Sequence, residues 1–355
     1  MSIDSRSAVG TVSRSGKRRV VVAGVGGASL GTETIKALAL AGRYDVVVAD
    51  VSPMAYGLYQ REVVASYVLK VESYIDDLIA CCERADARIL VPGAEATLKL
   101  VNGSRQRLLD AGITPVLNRP EVIQACSDKS LTFKVLENLG VPVPKTRALE
   151  RAEDLDGFPV PCIIKPATGT GGSALVSVAS TTDEALSYAQ WIWKTGVKAV
   201  AQEYLPLSGG EFTVGVLRFA SWMGSIAMKR EFPSKLSYQM KTAQFLVSSG
   251  YSQGLIAEFP EVCAHAERIA TGLDSYGPLN IQGRLVDGVF YPFEINPRFS
   301  ATTYLRAMAG FAEIDMFIEH LAGEPAPPPP RIKPGYYFRS LAEMYVPAEG
   351  IKKPR

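Results

Sequence analysis

The stretch LNIQGRLVDGVFYPFEINPR, residues 279–298, decides the fold of the second half of the chain. It predicts two strands joined by an Asp-Gly pair, which is typical of tight hairpin turns. Glu294, Asn296 and Arg298 occupy alternate positions near its end. Because alternate residues of a strand lie on one face, these three side chains are expected to project together. A carboxylate, an amide and a guanidinium on one face indicate a polar site.

Two interpretations of this polar face are open. Glu294 and Asn296, joined by Gln282 on the preceding strand, would supply oxygen ligands of the kind that suits Mg²⁺. Arg298 would then hold a transferring phosphoryl group or an anionic intermediate. The alternative is an ion pair between Glu294 and Arg298 at the edge of a sheet. On these residues alone, the ion pair is the simpler interpretation.

A second candidate site is the glycine loop TGTGGS, residues 168–173, between two predicted strands. Its glycines allow backbone N–H groups to approach an anion closely. Lys165 lies three residues before the loop, follows the apolar run CII, and can reach the same anion. These features slightly favour phosphate binding over the alternative, a flexible hairpin with a surface lysine.

A first glycine turn, GVGGASLG at residues 24–31, follows a predicted strand and precedes a predicted helix. Asp50 ends the next predicted strand, as in dinucleotide sites where an acidic residue binds the ribose. The G-x-G-x-x-G fingerprint, however, requires a glycine where Ser29 stands. A strand-to-helix turn without a nucleotide is at least as good an interpretation. No G-x-x-x-x-G-K-[ST] loop occurs in the sequence, which excludes a P-loop.

The composition and charge of the chain exclude several classes of protein. The 355 residues are 47% hydrophobic and 21% charged, with a net charge of +2. The charges are dispersed and the apolar runs are short, so neither a nucleic-acid partner nor a membrane partner is expected. The two histidines, His265 and His320, argue against a His-based triad or a histidine-rich metal site. Five cysteines without zinc-ligand spacing favour reduced thiols and a cytoplasmic protein.

Strands alternating with helices predict an α/β fold with a parallel sheet up to Pro120, and the later strands predict antiparallel α+β units. The pattern also predicts one helix over residues 96–110 and a final strand over residues 336–345. The expected divisions are a disordered tail at 1–16, a Rossmann-like domain at 17–120, a central subdomain with the glycine loop at 121–203, a C-terminal subdomain with the metal site at 204–323, and a proline-rich connector with the C-terminal segment at 324–355.

The order of these features resembles the ATP-grasp superfamily over roughly residues 20–321. SDKSLTFKVLENLGVPVPKT, residues 127–146, resembles the segment that opens the central domain of these enzymes, and AQEYLP, residues 201–206, resembles their adenine hinge. Gln282 together with E-x-N-P-R is more similar to the carbamoyl phosphate synthetase large-subunit branch than to D-alanine–D-alanine ligases, which usually carry an aspartate there. That large subunit carries two such units and this chain carries one, so a stand-alone carboxylate–amine ligase fits the length better.

The resemblance also implies roles for individual residues. Lys129 and Lys165 match basic residues that contact the nucleotide phosphates, and Glu211 matches the carboxylate that binds the ribose hydroxyls. Lys165 and Arg298 match residues that stabilise charge at the transferred phosphate and are the implied catalytic residues. The implied hinge residues are Gln202, Glu203, Tyr204 and Leu205. The implied triphosphate-covering residues are Gly169, Gly171, Gly172 and Ser173. The implied metal ligands are Gln282, Glu294 and Asn296.

The implied fold is therefore an N-terminal Rossmann-like sheet followed by an ATP-grasp fold of two α+β subdomains. The implied reaction joins a small-molecule carboxylate to an amine through an acyl phosphate, with ATP and Mg²⁺ or Mn²⁺ as cofactors. A homodimer is compatible with this reading. The alternatives are a small-molecule kinase on the same fold, an NAD(P)-dependent oxidoreductase that uses the first glycine turn, and a non-catalytic nucleotide-binding regulator. Filled metal-ligand positions argue against the regulator.

Overall fold

A computed structural model of the chain describes residues 16–27, 29–168 and 175–354. Within these residues, the N-terminal part forms a five-stranded sheet of order β3-β2-β1-β4-β5. All of its neighbouring strands are parallel, which confirms the predicted Rossmann-like α/β arrangement. The strands are β1 (Arg18–Ala23), β2 (Tyr44–Asp50), β3 (Val63–Val68), β4 (Ile89–Pro92) and β5 (Thr114–Pro115). The helices are α1 (Leu30–Ala41), α2 (Tyr74–Arg84), α3 (Glu95–Gly103), α4 (Arg105–Asp110) and α5 (Pro120–Ala125).

The apolar run at the start of this sheet is buried on both faces. Val20 and Val22 pack into one core cluster, and Val21 packs into another on the opposite face. This arrangement follows from the continuous apolar sequence of β1, because a parallel strand covered by helices on both sides has no polar face. The turn between β1 and α1 is tight, since a Cβ at Gly31 would lie 2.2 Å from the carbonyl oxygen of Gly24.

The second part begins with an antiparallel sheet of order β6-β9-β7-β8. Its helix α7 packs on this sheet through Ala185, Ala189 and Ile192. The strands are β6 (Thr146–Leu149), β7 (Cys162–Pro166), β8 (Ser177–Ala179) and β9 (Ala199–Glu203). The helices are α6 (Lys129–Asn138), which precedes the sheet, and α7 (Thr182–Trp193).

The third part is built on a larger antiparallel sheet of order β16-β15-β10-β11-β14-β17, with a separate hairpin of β12 and β13. Its apolar face packs on α8 through Val262, Ala266 and Ile269. The strands are β10 (Glu211–Phe219), β11 (Trp222–Arg230), β12 (Tyr238–Lys241), β13 (Leu246–Ser248), β14 (Gly254–Ile256), β15 (Gly277–Val286), β16 (Val289–Asn296) and β17 (Gly335–Tyr337). The helices are α8 (Pro260–Gly272), α9 (Thr303–Met308) and α10 (Glu313–Leu321).

Two element predictions were wrong in extent. The helix predicted over residues 96–110 is broken at Ser104, because Gly103 and Ser104 are poor helix formers and Ser104 leaves helical geometry. The final strand predicted over residues 336–345 ends at Tyr337. Beyond it the chain leaves the sheet, because the Arg339 backbone N–H donates to the Gln253 side chain and the Arg339 guanidinium pairs with buried Glu33.

A search of the described helices for a segment long and apolar enough to cross a membrane found none.

Candidate nucleotide and metal site

A cleft lies between the β6-β9-β7-β8 sheet and the polar face of the β10-β15-β16 strands. Its first side is lined by Ile163, Lys165 and the end of β9. Its second side is lined by polar residues of β10, β15 and β16. The structure thus brings together most of the residues singled out in the sequence. Those that line the cleft are Lys129, Lys165, Gln202, Glu203, Tyr204, Leu205, Glu211, Gln282, Glu294, Asn296 and Arg298.

Lys165 is a buried basic residue of the cleft. Its Nζ donates to Gln202 Oε1 at 2.7 Å and to the carbonyl oxygen of Phe293 at 3.0 Å, which ties β7 to β9 and β16. Burial, together with the nearby positive charge of Lys129 and against the opposing effect of Glu294, lowers the pKa of Lys165 to about 7. An anion that enters between the two lysines would restore the charged form.

Lys129 is placed by the start of α6. Asp128 caps this helix through the Ser130 and Leu131 backbone N–H groups, and the Lys129 N–H donates to the Ala167 carbonyl at 2.9 Å. That bond joins the helix start to the end of β7, where the glycine loop begins. The loop residues Gly169, Gly171, Gly172 and Ser173 lie outside the described residues, so their predicted role stays a prediction.

The β15–β16 hairpin sets the candidate metal ligands side by side. Gln282 is paired with Glu294 across the two strands, and Asn280 with Asn296. A carboxylate and an amide oxygen at Glu294 and Asn296 fit a hard cation. Gln282 is turned the other way, because its Nε2 donates to Glu294 Oε2 at 3.1 Å while its Oε1 faces Arg230 at 3.4 Å. Gln282 would have to rotate its amide to present oxygen to a metal.

Arg298 contacts the N-terminal part of the protein. Its Nε donates to Glu95 Oε2 at 2.9 Å, and its Nη1 donates to the Phe299 carbonyl at 3.0 Å. Glu95 is the first residue of α3 and lines the same cleft. The alternative drawn from the sequence, an ion pair between Glu294 and Arg298, is therefore wrong: the arginine pairs with a carboxylate from another part of the chain.

Glu211 lines the cleft with a fully buried side chain. Its Oε1 accepts from Arg230 Nη1 at 2.8 Å and its Oε2 accepts from Arg284 Nε at 3.0 Å. Both carboxylate oxygens are thus engaged by guanidinium groups. The ribose-binding role implied for Glu211 stays a prediction. A ribose hydroxyl would have to share the Glu211 carboxylate oxygens with the two arginines.

Asp50, the residue that suggested a dinucleotide site, holds the first glycine turn together. Its Oδ2 accepts from the Val25 backbone N–H at 2.6 Å and its Oδ1 accepts from the Ser52 N–H at 2.9 Å. The side chain is buried, with 8% of the residue exposed. Both oxygens of this carboxylate therefore accept hydrogen bonds from nearby backbone N–H groups. This arrangement agrees with the interpretation of the turn as one without a nucleotide.

Sequence reasoning missed two residues of this region, Glu95 and Arg284. Glu95 begins a helix and looks like an ordinary acidic residue of a first turn. Arg284 is two residues after Gln282 on β15, so the alternation of a strand places it on the polar face. This alternation is the sequence signal that identifies Arg284 as a cleft residue.

Comparisons with known proteins agree with this geometry. A family profile described as ATP-grasp domain matches residues 126–302. The chain carries an ATP-grasp domain. Its ATP-grasp domain contains all the cleft residues named above except Glu95, so the recognition and the fold class predicted from the sequence are confirmed.

A curated relative with a similar sequence is the carbamoyl phosphate synthase large chain of Deinococcus radiodurans, 26% identical over 219 residues. The match covers 59% of this chain and 20% of that protein, so the chain spans about a fifth of the relative's length.

Two solved structures are similar in fold. The biotin carboxylase domain dimer of Hydrogenobacter thermophilus 2-oxoglutarate carboxylase, in complex with MgADP, ADP and bicarbonate, has a TM-score of 0.68 at 16% identity, covering 90% of this chain and 73% of that one. The L-amino acid ligase from Bacillus licheniformis has a TM-score of 0.66 at 15% identity, covering 87% and 75%.

Proposed function

We propose that this ATP-grasp protein is an ATP-dependent ligase that joins a small-molecule carboxylate to an amine through an acyl phosphate. One observation carries the proposal: two lysines, an arginine and a carboxylate–amide pair from distant parts of the chain line one cleft. The names of the similar proteins support it, since an L-amino acid ligase and an MgADP-bound carboxylase domain share the fold.

Charge distribution in the cleft suits phosphoryl transfer. Lys129 is close enough to Lys165 to lower its pKa, and Lys165 is held by Gln202 and the Phe293 carbonyl rather than by a carboxylate. Its amine is therefore available to an incoming triphosphate, whose negative charge favours the ammonium form. Glu294 and Asn296 would hold Mg²⁺, which neutralises phosphate charge when bound.

The reaction would proceed in two displacements. A carboxylate oxygen of the acid attacks the γ-phosphorus of ATP, the bond to the β-phosphate oxygen breaks, and ADP leaves. The amine nitrogen then attacks the acyl carbon, phosphate leaves, and the nitrogen loses a proton to solvent. Lys165 would offset charge on the transferred phosphoryl group, and Arg298 would offset charge on the acyl phosphate and on the tetrahedral species that follows.

Trapping the acyl phosphate tests this function. The protein is incubated with Mg-ATP, hydroxylamine and a panel of carboxylic acids, and both ADP release and ferric hydroxamate colour are measured. The expected result is that at least one acid gives both signals. The Glu294→Gln variant serves as the matched control and should give neither.

The outcomes separate the candidate functions. ADP release without hydroxamate, driven by an added hydroxyl compound, would replace the ligase with a kinase. An acid that drives ADP release while hydroxylamine traps nothing would also overturn the ligase. Failure of the protein to bind any adenine nucleotide would overturn both.

A further inference from the structure

A buried ionic trio, defined here as Glu211, Arg230 and Arg284, contributes two residues, Glu211 and Arg284, to the lining of the cleft. Arg230 and Glu211 have fully buried side chains, and the side chain of Arg284 is 7% exposed. The two arginines and one carboxylate leave a net charge of +1 in this group. Removing charges from water on this scale is costly, so the trio needs extensive hydrogen bonding to be tolerated.

The remaining N–H groups of Arg284 bind main-chain carbonyls of two segments that wall the cleft. Its Nη1 donates to the Leu205 carbonyl in the predicted adenine hinge. Its Nη2 donates to the Leu246 carbonyl at 2.7 Å, at the start of β13. Arg284 therefore joins the hinge and the β12–β13 hairpin to the central sheet.

Arg230 binds main-chain carbonyls of the segment that follows the hairpin. Its Nη2 donates to the Ser249 carbonyl at 2.8 Å and to the Tyr251 carbonyl at 3.3 Å. A direct contact between hairpin and hinge adds to it, because the Leu246 N–H donates to the Tyr204 hydroxyl oxygen at 2.9 Å. The Tyr204 ring also lies 5.1 Å from the Arg284 guanidinium carbon.

These contacts have a consequence for ligand binding. Tyr204, Leu205, Leu246, Val247 and Ser248 all line the cleft, and they belong to the two segments that the trio fixes. Hinge and hairpin would otherwise have to be ordered when a ligand binds, at the expense of affinity. A planar guanidinium spreads its donors over three nitrogens and so reaches two separate carbonyls and a carboxylate at once, whereas a lysine carries all of its donors on one nitrogen.

We propose that the Glu211–Arg230–Arg284 trio positions the hinge and the β12–β13 hairpin as the two walls of the nucleotide-base slot, with Arg284 as its central positioning residue. The proposal rests on the proposed function only in that an adenine nucleotide enters the cleft. Glu211 then acts as the anchor of the two arginines, and the ribose contact implied by the family resemblance is not its main role.

Calorimetric titration tests the proposal with three probes: Mg-ADP, Mg-2′-deoxy-ADP and Mg-tripolyphosphate. The variant Arg284→Met should bind both nucleotides at least about tenfold more weakly, a loss of about 1.4 kcal/mol. It should bind tripolyphosphate like the wild type, since that probe has no base. A merely structural role would weaken all three probes alike. Arg268→Met, an exposed arginine on α8, is the matched control and should change none.

Two further variants separate the proposed positioning role from a folding defect and from a ribose contact. Arg284→Lys retains the charge beside Glu211 and should fold even where Arg284→Met does not, yet it should still bind nucleotide weakly, because it cannot hold both carbonyls. Glu211→Gln should weaken Mg-ADP and Mg-2′-deoxy-ADP equally. If Glu211→Gln weakens Mg-ADP binding more than Mg-2′-deoxy-ADP binding, Glu211 contacts the ribose 2′-hydroxyl.

The proposal is overturned if Arg284→Met binds Mg-ADP as tightly as the wild type, if it loses tripolyphosphate to the same extent, or if Arg284→Lys restores full affinity. A wild-type protein that binds no Mg-ADP would instead overturn the proposed function, and this proposal with it.

Discussion

Arg298 Nε and Glu95 Oε2 lie 2.9 Å apart, although the two residues are separated by 203 positions in the chain. The contact joins the first turn of α3, in the N-terminal part, to the segment just after β16, the strand that carries Glu294 and Asn296. It also leaves the arginine oriented by two acceptors, Glu95 and the Phe299 carbonyl. The N-terminal part is therefore connected to the cleft by a charged contact as well as by packing.

Glu95→Gln should lower turnover more than it weakens nucleotide binding. The substitution keeps the shape of the side chain but removes the charge that orients Arg298, so we expect a fall in kcat of about tenfold with little change in the KM for ATP. ADP release with an acid from the hydroxamate screen measures both constants. Glu121→Gln, in the first turn of α5, is the control. A variant with unchanged kcat would show that the Glu95 contact is incidental.

Glu294→Gln should abolish most Mg-dependent turnover while the fold remains. The variant keeps an oxygen at the position but loses the negative charge that attracts the cation, so turnover should fall by about 100-fold, or about 2.7 kcal/mol. The measurement is ADP release over a range of Mg²⁺ concentrations, with circular dichroism to confirm folding. Glu258→Gln, an exposed residue before α8, is the control. Near-normal turnover would remove Glu294 from the metal site.

Nucleotide binding should take up a proton at alkaline pH. The pKa of Lys165 is lowered to about 7, so at about pH 8 the amine is mostly neutral in the free protein. Bound phosphates favour the ammonium form and raise that pKa, so Mg-ATP should bring in close to one proton at about pH 8. Below about pH 6 the amine is already charged and the uptake should vanish.

Calorimetry in two buffers with different ionisation enthalpies measures this uptake. Lys165→Met removes the titrating amine and should abolish it at every pH, whereas Lys194→Met, a residue at the C-terminal end of α7, should leave it intact. Equal uptake in the wild type and in Lys165→Met would assign the proton to another group.

Arg306→Met should destabilise the protein strongly. Arg306 is fully buried, and it donates to Glu313 Oε1 at 3.1 Å and to Asn280 Oδ1 at 2.7 Å. Its removal leaves the Glu313 carboxylate buried without a counter-charge, so the free energy of unfolding should fall by about 3 kcal/mol or more. Urea denaturation measures the change.

The double variant Arg306→Met/Glu313→Leu removes both charges and should recover a large part of the lost stability. If the double variant is as unstable as the single one, the loss comes from packing and not from the unpaired carboxylate.

The sequence predicted those features that depend on neighbouring residues. The continuous apolar run of β1 predicted a strand buried on both faces, and the Asp-Gly pair predicted the turn between β15 and β16. Alternation along β16 placed Glu294 and Asn296 together. Each of these signals lies within a few residues, because strand periodicity and turn chemistry are set locally.

The tertiary structure alone decided the partners of the charged residues. Arg298 pairs with Glu95 and not with nearby Glu294, and Glu211 pairs with Arg230 and Arg284 across three strands. The residues next to each charged side chain do not predict its partner, because a side-chain contact depends on which elements the fold brings together. The sequence by itself therefore determined which residue types are available to the cleft. Packing determined which of their charges are neutralised within the protein and which groups, like the Lys165 amine, remain available to a ligand.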